Sequence, residues 1–106
     1  MRLFIILILL SGSAFATEFS CTSSLNGKVL RTETVEVTED VTEIDLGSYK
    51  DVEIFGQAFL GQVSVFMSFD GVLYGSISNR SATYKMFMIG EGELTLSCGL
   101  DDKVLP

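Results

Sequence analysis

The sequence predicts an all-β domain, a small antiparallel meander of about seven or eight strands, closed as a barrel or stacked as a sandwich and held by one disulfide. Three observations predict it. Apolar and polar residues alternate with period two through most of the chain after residue 16, as in Leu94, Leu96 and Cys98 against Glu93, Thr95 and Ser97. Asn26-Gly27 and Asp70-Gly71 are dipeptides that favour type I′ hairpins, because both central residues of that turn need positive φ. The only two cysteines, Cys21 and Cys98, stand near the two ends of the domain.

Taken in order, the chain opens on a leader. Met1 and Arg2 give a short positive start, residues 3–10 are unbroken apolar, Ser11-Gly12 interrupts them, and Ala14-Phe15-Ala16 offers the small-x-small pattern of a signal-peptidase site. The apolar run falls far short of the roughly 18 residues that a spanning helix needs. Residues 1–16 are therefore expected to be a cleaved signal peptide. No membrane anchor is expected, since Thr17-Glu18-Phe19-Ser20 separates the apolar run from Cys21 and does not suit lipid attachment. The expected location is periplasmic or secreted, with the short positive start and the Ala-x-Ala site pointing to a bacterial periplasm.

Residues 17–100 then form a single β domain, with residues 101–106 as a short polar tail. Phe19 and Cys21 mark the first strand, which Asn26-Gly27 turns into a second over residues 28–38. Residues 41–46 read as the next, ending at Gly47, and residues 49–55 as another, ending before Gly56. Residues 57–69 read as one long apolar strand with a bulge or break at Gly61. Its Val63, Val65, Met67 and Phe69 face one way, while Phe66 among serines on the other face suggests a second buried surface. Residues 72–78 and 82–89 follow, and Gly90-Glu91-Gly92 is the last turn before the strand carrying Cys98. No stretch after residue 16 has helical apolar spacing.

Two cysteines in an exported chain this short read as a bridge, and only one intramolecular pairing exists. Free thiols or a redox pair are the alternative, but the chain has no C-x-x-C and no histidine, lysine or arginine close in sequence to activate either sulfur. A bridge would place the first and last strands together, closing one sheet or clamping two.

Charge and composition exclude several functions. The whole chain has a formal charge of −7; losing Arg2 with the leader leaves 6 basic against 14 acidic residues, or −8. Most of this lies between residues 33 and 53, where Glu33, Glu36, Glu39, Asp40, Glu43, Asp45, Asp51 and Glu53 are offset by Lys50 alone. Nucleic acid is therefore not an expected partner, because phosphate contacts need Lys and Arg. With no histidine, Ser-His-Asp and Cys-His catalysis and histidine zinc sites are ruled out. Carboxylate pairs such as Glu43 with Asp45 could serve acid–base chemistry or bind calcium. They read better as solvated strand edges that block edge-to-edge pairing. No enzyme activity, cofactor or metal site is expected. Asn79-Arg80-Ser81 fits the N-glycosylation pattern in a turn-like segment.

The reading that follows is a non-catalytic binding module whose acidic stretch docks a basic protein partner, through Glu36, Glu39, Asp40, Glu43 and Asp45. In layout (short signal, eight-stranded β-domain, cysteines near the termini) the chain resembles the small exported inhibitors of lysozyme, themselves binders of a basic protein. The resemblance is architectural: none of those inhibitors' motifs is present, and it transfers no residue roles. The alternative is an envelope or extracellular structural protein with no specific ligand.

Overall fold

The computed structural model describes residues 15–104. Eight strands follow one another: β1 (Phe15–Leu25), β2 (Lys28–Glu36), β3 (Val41–Tyr49), β4 (Val52–Phe59), β5 (Gln62–Phe69), β6 (Val72–Asn79), β7 (Ser81–Met88) and β8 (Gly92–Val104). They form two four-stranded antiparallel sheets, ordered β2-β1-β8-β7 and β3-β4-β5-β6. The expected all-β meander with one disulfide is what the chain adopts, and between the two closures left open it takes the sandwich. The strand order is that of an up-and-down barrel in which β8 returns to β1. Among the described residues, strand-to-strand hydrogen bonding stops at two corners, between β2 and β3 and between β6 and β7.

The alternation places one face of each strand in a shared core. Phe19 and Cys21 of β1, Ile44 and Leu46 of β3, Val52, Ile54 and Ala58 of β4, Val63, Val65 and Met67 of β5, Ala82 of β7, and Leu94, Leu96 and Cys98 of β8 are all buried. The outward face of the β2-β1-β8-β7 sheet is hydroxyl-rich, with cross-strand contacts Ser20–Thr34 (2.8 Å), Thr22–Thr32 (3.2 Å) and Thr83–Ser97 (3.0 Å). Such pairs are a known source of sheet stability.

The turns decide the boundaries. Asn26-Gly27 (φ 53° and 83°) and Asp70-Gly71 (φ 53° and 77°) both take positive φ, as their residue types predict. Leu60-Gly61 does the same (φ 48° and 85°), so residues 57–69 form a hairpin of two strands with Gly61 in its turn. Leucine gives no turn signal, and the left-handed conformation is unfavourable for it by roughly 1–2 kcal/mol. Gly47 does not end a strand. It sits at φ 78° in a bulge within β3, where the Asp45 carboxylate accepts its N–H at 2.8 Å, and the turn comes later at Lys50-Asp51. Gly56 likewise lies inside β4 rather than after it.

Two further expectations change. Phe66 faces no second core; it stacks with Phe55 on the outward face of the β3-β4-β5-β6 sheet. Phe69 keeps the expected phase of Val63, Val65 and Met67, though at the end of β5 it is 42% exposed. β8 does not stop at residue 100: Asp101 and Asp102, read above as tail, lie opposite Glu18 and Thr17. Of the expected signal peptide, only Phe15 and Ala16 fall within the described residues, at the start of β1.

Candidate functional site

The disulfide sets the frame. Cys21 and Cys98 lie directly opposite each other in the β1–β8 register, bonded with Cα atoms 4.1 Å apart. The bridge therefore staples neighbours within one sheet, rather than clamping the two sheets. Its sulfurs face the other sheet at Gly56, where a Cβ would come within 2.5 Å of Cys98 Sγ and 2.6 Å of Cys21 Sγ.

The acidic residues do not form one patch. Glu36 closes β2 opposite Glu18, and Glu39 and Asp40 lie in the link between β2 and β3. These two border a shallow depression of about 230 Å³ with Thr17, Leu60 and Arg80. Glu43 and Asp45 stand instead on the outward face of β3, where period two puts them on the same side. The β3–β4 register lays Gln57 opposite Glu43, Phe55 opposite Asp45 and Glu53 opposite Ser48. The result is an open groove of about 320 Å³ lined by Glu43, Asp45, Gly47, Ser48, Glu53 and Phe55.

Three carboxylates thus line one open groove beside an aromatic ring. Asp45 is held by the Gly47 N–H, and Glu43 accepts a long contact of 3.5 Å from Gln57 Nε2. Among the described residues, no lysine or arginine forms an ion pair with Glu43, Asp45 or Glu53. Arg31 reaches toward Gly47, but its guanidinium is engaged by Glu33 at 2.6 Å. Phe55 stacks on Phe66 with centroids 5.2 Å apart and ring planes 31° apart, continuing the groove floor toward β6. Among the described residues, no three acidic, cysteine or histidine side chains converge as metal ligands. Glu53 and Phe55 were absent from the sequence-derived set. Their signal was the polar–apolar phase of β4, legible only once the turn is placed at Lys50-Asp51.

A second concavity was not anticipated. At the open corner where β6 and β7 diverge, Val52, Phe69, Tyr74, Tyr84, Met86 and Met88 line an apolar cleft of about 550 Å³. Lys85 is the one charged residue in its lining. Phe87 and Ile89 rise from its rim, 75% and 93% exposed. The sequence clue was Phe87, an apolar residue in the polar phase of β7.

The turns near this end are tied together. Asn26 donates to the Glu91 carbonyl (3.0 Å), accepts the Glu93 N–H (3.0 Å), and gives its own N–H to the Glu93 carbonyl (2.9 Å). The Tyr49 hydroxyl donates to Glu91 Oε1 at 2.8 Å, with Lys50 Nζ 3.6 Å from the other oxygen. The tyrosine hydrogen bond, helped by the lysine charge, lowers the Glu91 pKa; the same bond, with burial, raises that of Tyr49. A lowered carboxyl pKa adds stability above the ordinary value of 4.5 and loses it as pH falls through the folded value. A raised tyrosine pKa adds stability below 10.0 and loses it as pH rises through its folded value. Thermal melts of wild type and Tyr49→Phe should therefore differ most between those limits and converge at acid pH. A gap that persists at low pH would show that Glu91 is not the cause.

Compared with known protein families, curated proteins and solved structures, the chain matches none.

Proposed function

We propose that this protein is an exported, non-catalytic binding module that docks a basic protein partner on the outward face of β3 and β4. The observation that carries the reading is the groove of Glu43, Asp45 and Glu53 over Phe55, three carboxylates without a cationic partner among the described residues. An arginine from a partner fits this chemistry, because its planar guanidinium forms charge-assisted pairs with carboxylates while stacking on an aromatic face. Net negative charge adds long-range steering toward a basic surface. Export is supported by the apolar leader and by the disulfide, which persists in oxidising compartments. The mode is inhibitor-like in that a small rigid scaffold presents a fixed charged face.

The test is calorimetric titration with a basic protein, a lysozyme serving as first probe, and with an arginine-rich peptide. Affinity should fall steeply between low and moderate salt. Combining Glu43→Gln, Asp45→Asn and Glu53→Gln should weaken binding by about tenfold or more, since charge-assisted hydrogen bonds are worth about 1.5–3 kcal/mol each. Combining Glu36→Gln, Glu39→Gln and Asp40→Asn should weaken it less, because those acids lie elsewhere. Absence of binding to either probe at low salt, or identical affinity in the groove variant, would leave the acids a solubilising role and favour the structural-protein reading.

A further inference from the structure

The two open corners of the sandwich are built differently. At the β2–β3 corner, Arg31 and Glu33 lie opposite the buried Ser23 and Cys21, so these charges point to the inner side of the edge strand. The β3 edge carries the Gly47 bulge and the acids Glu43 and Asp45. Inward charges and bulges are the devices that keep a sheet edge from pairing with another. The β6–β7 corner lacks them. β6 holds no charged residue from Val72 to Asn79, and β7 holds only Lys85. Along β6, Val72, Leu73 and Ile77 are 48%, 56% and 63% exposed. β5 pairs with one side of β6, and among the described residues no strand hydrogen-bonds to the other.

We infer that two copies of this chain pair edge to edge through β6, antiparallel, about a twofold axis at Gly75. The sequence of β6 is self-complementary in that register. A twofold axis perpendicular to the sheet keeps the outward faces of both copies on the same side, so each residue meets one of the same phase. With Gly75 on the axis, Leu73 of each copy faces Ile77 of the other, and both exposed side chains gain an apolar neighbour. The same register brings the Asp70 turn of each copy opposite Arg80 of the other, whose guanidinium is already held by Asp102 of its own chain at 3.0 Å, so the apolar Leu73–Ile77 pairs rather than charge fix the register. Moving the axis one residue, to Ser76, sets Leu73 against Asn79 and Asp70 against Ala82, and the match is lost.

Gly75 suits the central position. A Cβ there would run into the Val65 carbonyl and the Phe66 ring, so the strand has no side chain at the axis and Phe66 covers the glycine from β5. Across the twofold, the Phe55–Phe66 stacks of the two copies would flank the paired glycines.

Charge disfavours the β2 and β3 edges. Two copies of a strongly negative chain repel wherever their acidic flanks meet. Strands are about 4.8 Å apart, so β3 lies roughly 14 Å from β6, beyond the Debye length of about 10 Å at 0.1 M salt. Pairing through β6 makes a continuous eight-stranded sheet, β3-β4-β5-β6 and its mirror order, with the acidic grooves at its two far ends. The grooves stay open, so this association neither needs nor blocks the docking of a basic partner.

Sedimentation equilibrium on the full chain, expressed with its own leader and purified oxidised, should give twice the protomer mass. Leu73→Lys should return the protomer mass while circular dichroism stays that of a folded sheet, and Glu43→Gln should leave the dimer intact. Register is tested by oxidative cross-linking. A mixture of Leu73→Cys and Ile77→Cys chains should form a covalent dimer, whereas neither variant alone should, because each cysteine lies several residues from its own copy across the axis. Protomer mass at every concentration would overturn the inference. So would a dimer that survives Leu73→Lys, or cross-linking of single variants as efficient as that of the mixture.

Discussion

Replacing both Cys21 and Cys98 with alanine is expected to lower the stability of this domain by about 4–5 kcal/mol, the chain-entropy value for a closed loop of this length. The residues are 77 apart in sequence, and their bridge joins the first strand to the last. That pairing has the largest sequence separation in the fold, running from Phe15 opposite Val104 to Leu25 opposite Leu94. Without the covalent link, closing the meander means bringing two chain ends together against the full conformational entropy of the loop. A domain of this size has a total stability of about 5–15 kcal/mol, so the loss is a large share of it. Urea titration of oxidised wild type and the double variant should show a much lower midpoint for the variant. Under native conditions the bridge should resist reduction, since Cys21 is fully buried and Cys98 is 3% exposed. A midpoint unchanged by removal of both sulfurs would mean that strand pairing alone closes the sheet.

The second large effect belongs to a glycine. Gly56→Ala places a methyl group within 2.6 Å of both bridge sulfurs, which are covalently fixed and cannot rotate away. An alanine in a strand normally gains about 0.5–1 kcal/mol over glycine. Here the overlap forces the sheets apart, and overpacking of this kind costs typically 1–3 kcal/mol. The net change should be destabilising, and more so for Gly56→Val. The diagnostic result is coupling. In the Cys21→Ala, Cys98→Ala background the obstructing atoms are gone, so Gly56→Ala should cost less there, or stabilise, with an interaction energy of about 0.5–3 kcal/mol. Equal effects in both backgrounds would place the strain elsewhere, in the β4 backbone.

These glycines mark where local reading ended. Glycine reads as punctuation in sequence, and at Asn26-Gly27 and Asp70-Gly71 that was sound because the preceding residue also tolerates positive φ. At Gly47 and Gly56 the same sign misled. One fits a bulge whose N–H is taken by Asp45, and the other leaves room for sulfurs arriving from the opposite sheet. Leu60 erred the other way, since nothing in its chemistry announces a turn, and the hairpin is imposed by the pairing of β4 with β5. The candidate groove was legible in part. Glu43 and Asp45 share a face by strand periodicity alone, but Glu53 and Phe55 join them only through the β3–β4 register, and Glu36, Glu39 and Asp40 are carried away to the β2–β3 link.

By itself, the sequence determined an all-β chain, its two strongest hairpins, the cysteine pair and the segregation of negative charge, because these follow from side-chain period, turn stereochemistry and composition. The tertiary structure alone decided the division into two sheets, the place of the bridge over Gly56, the aromatic floor of the groove and the contrast between a blunted edge and an open one. Each of these depends on which distant strands lie side by side, and that is settled by the packing of the whole core rather than by any local run of residues.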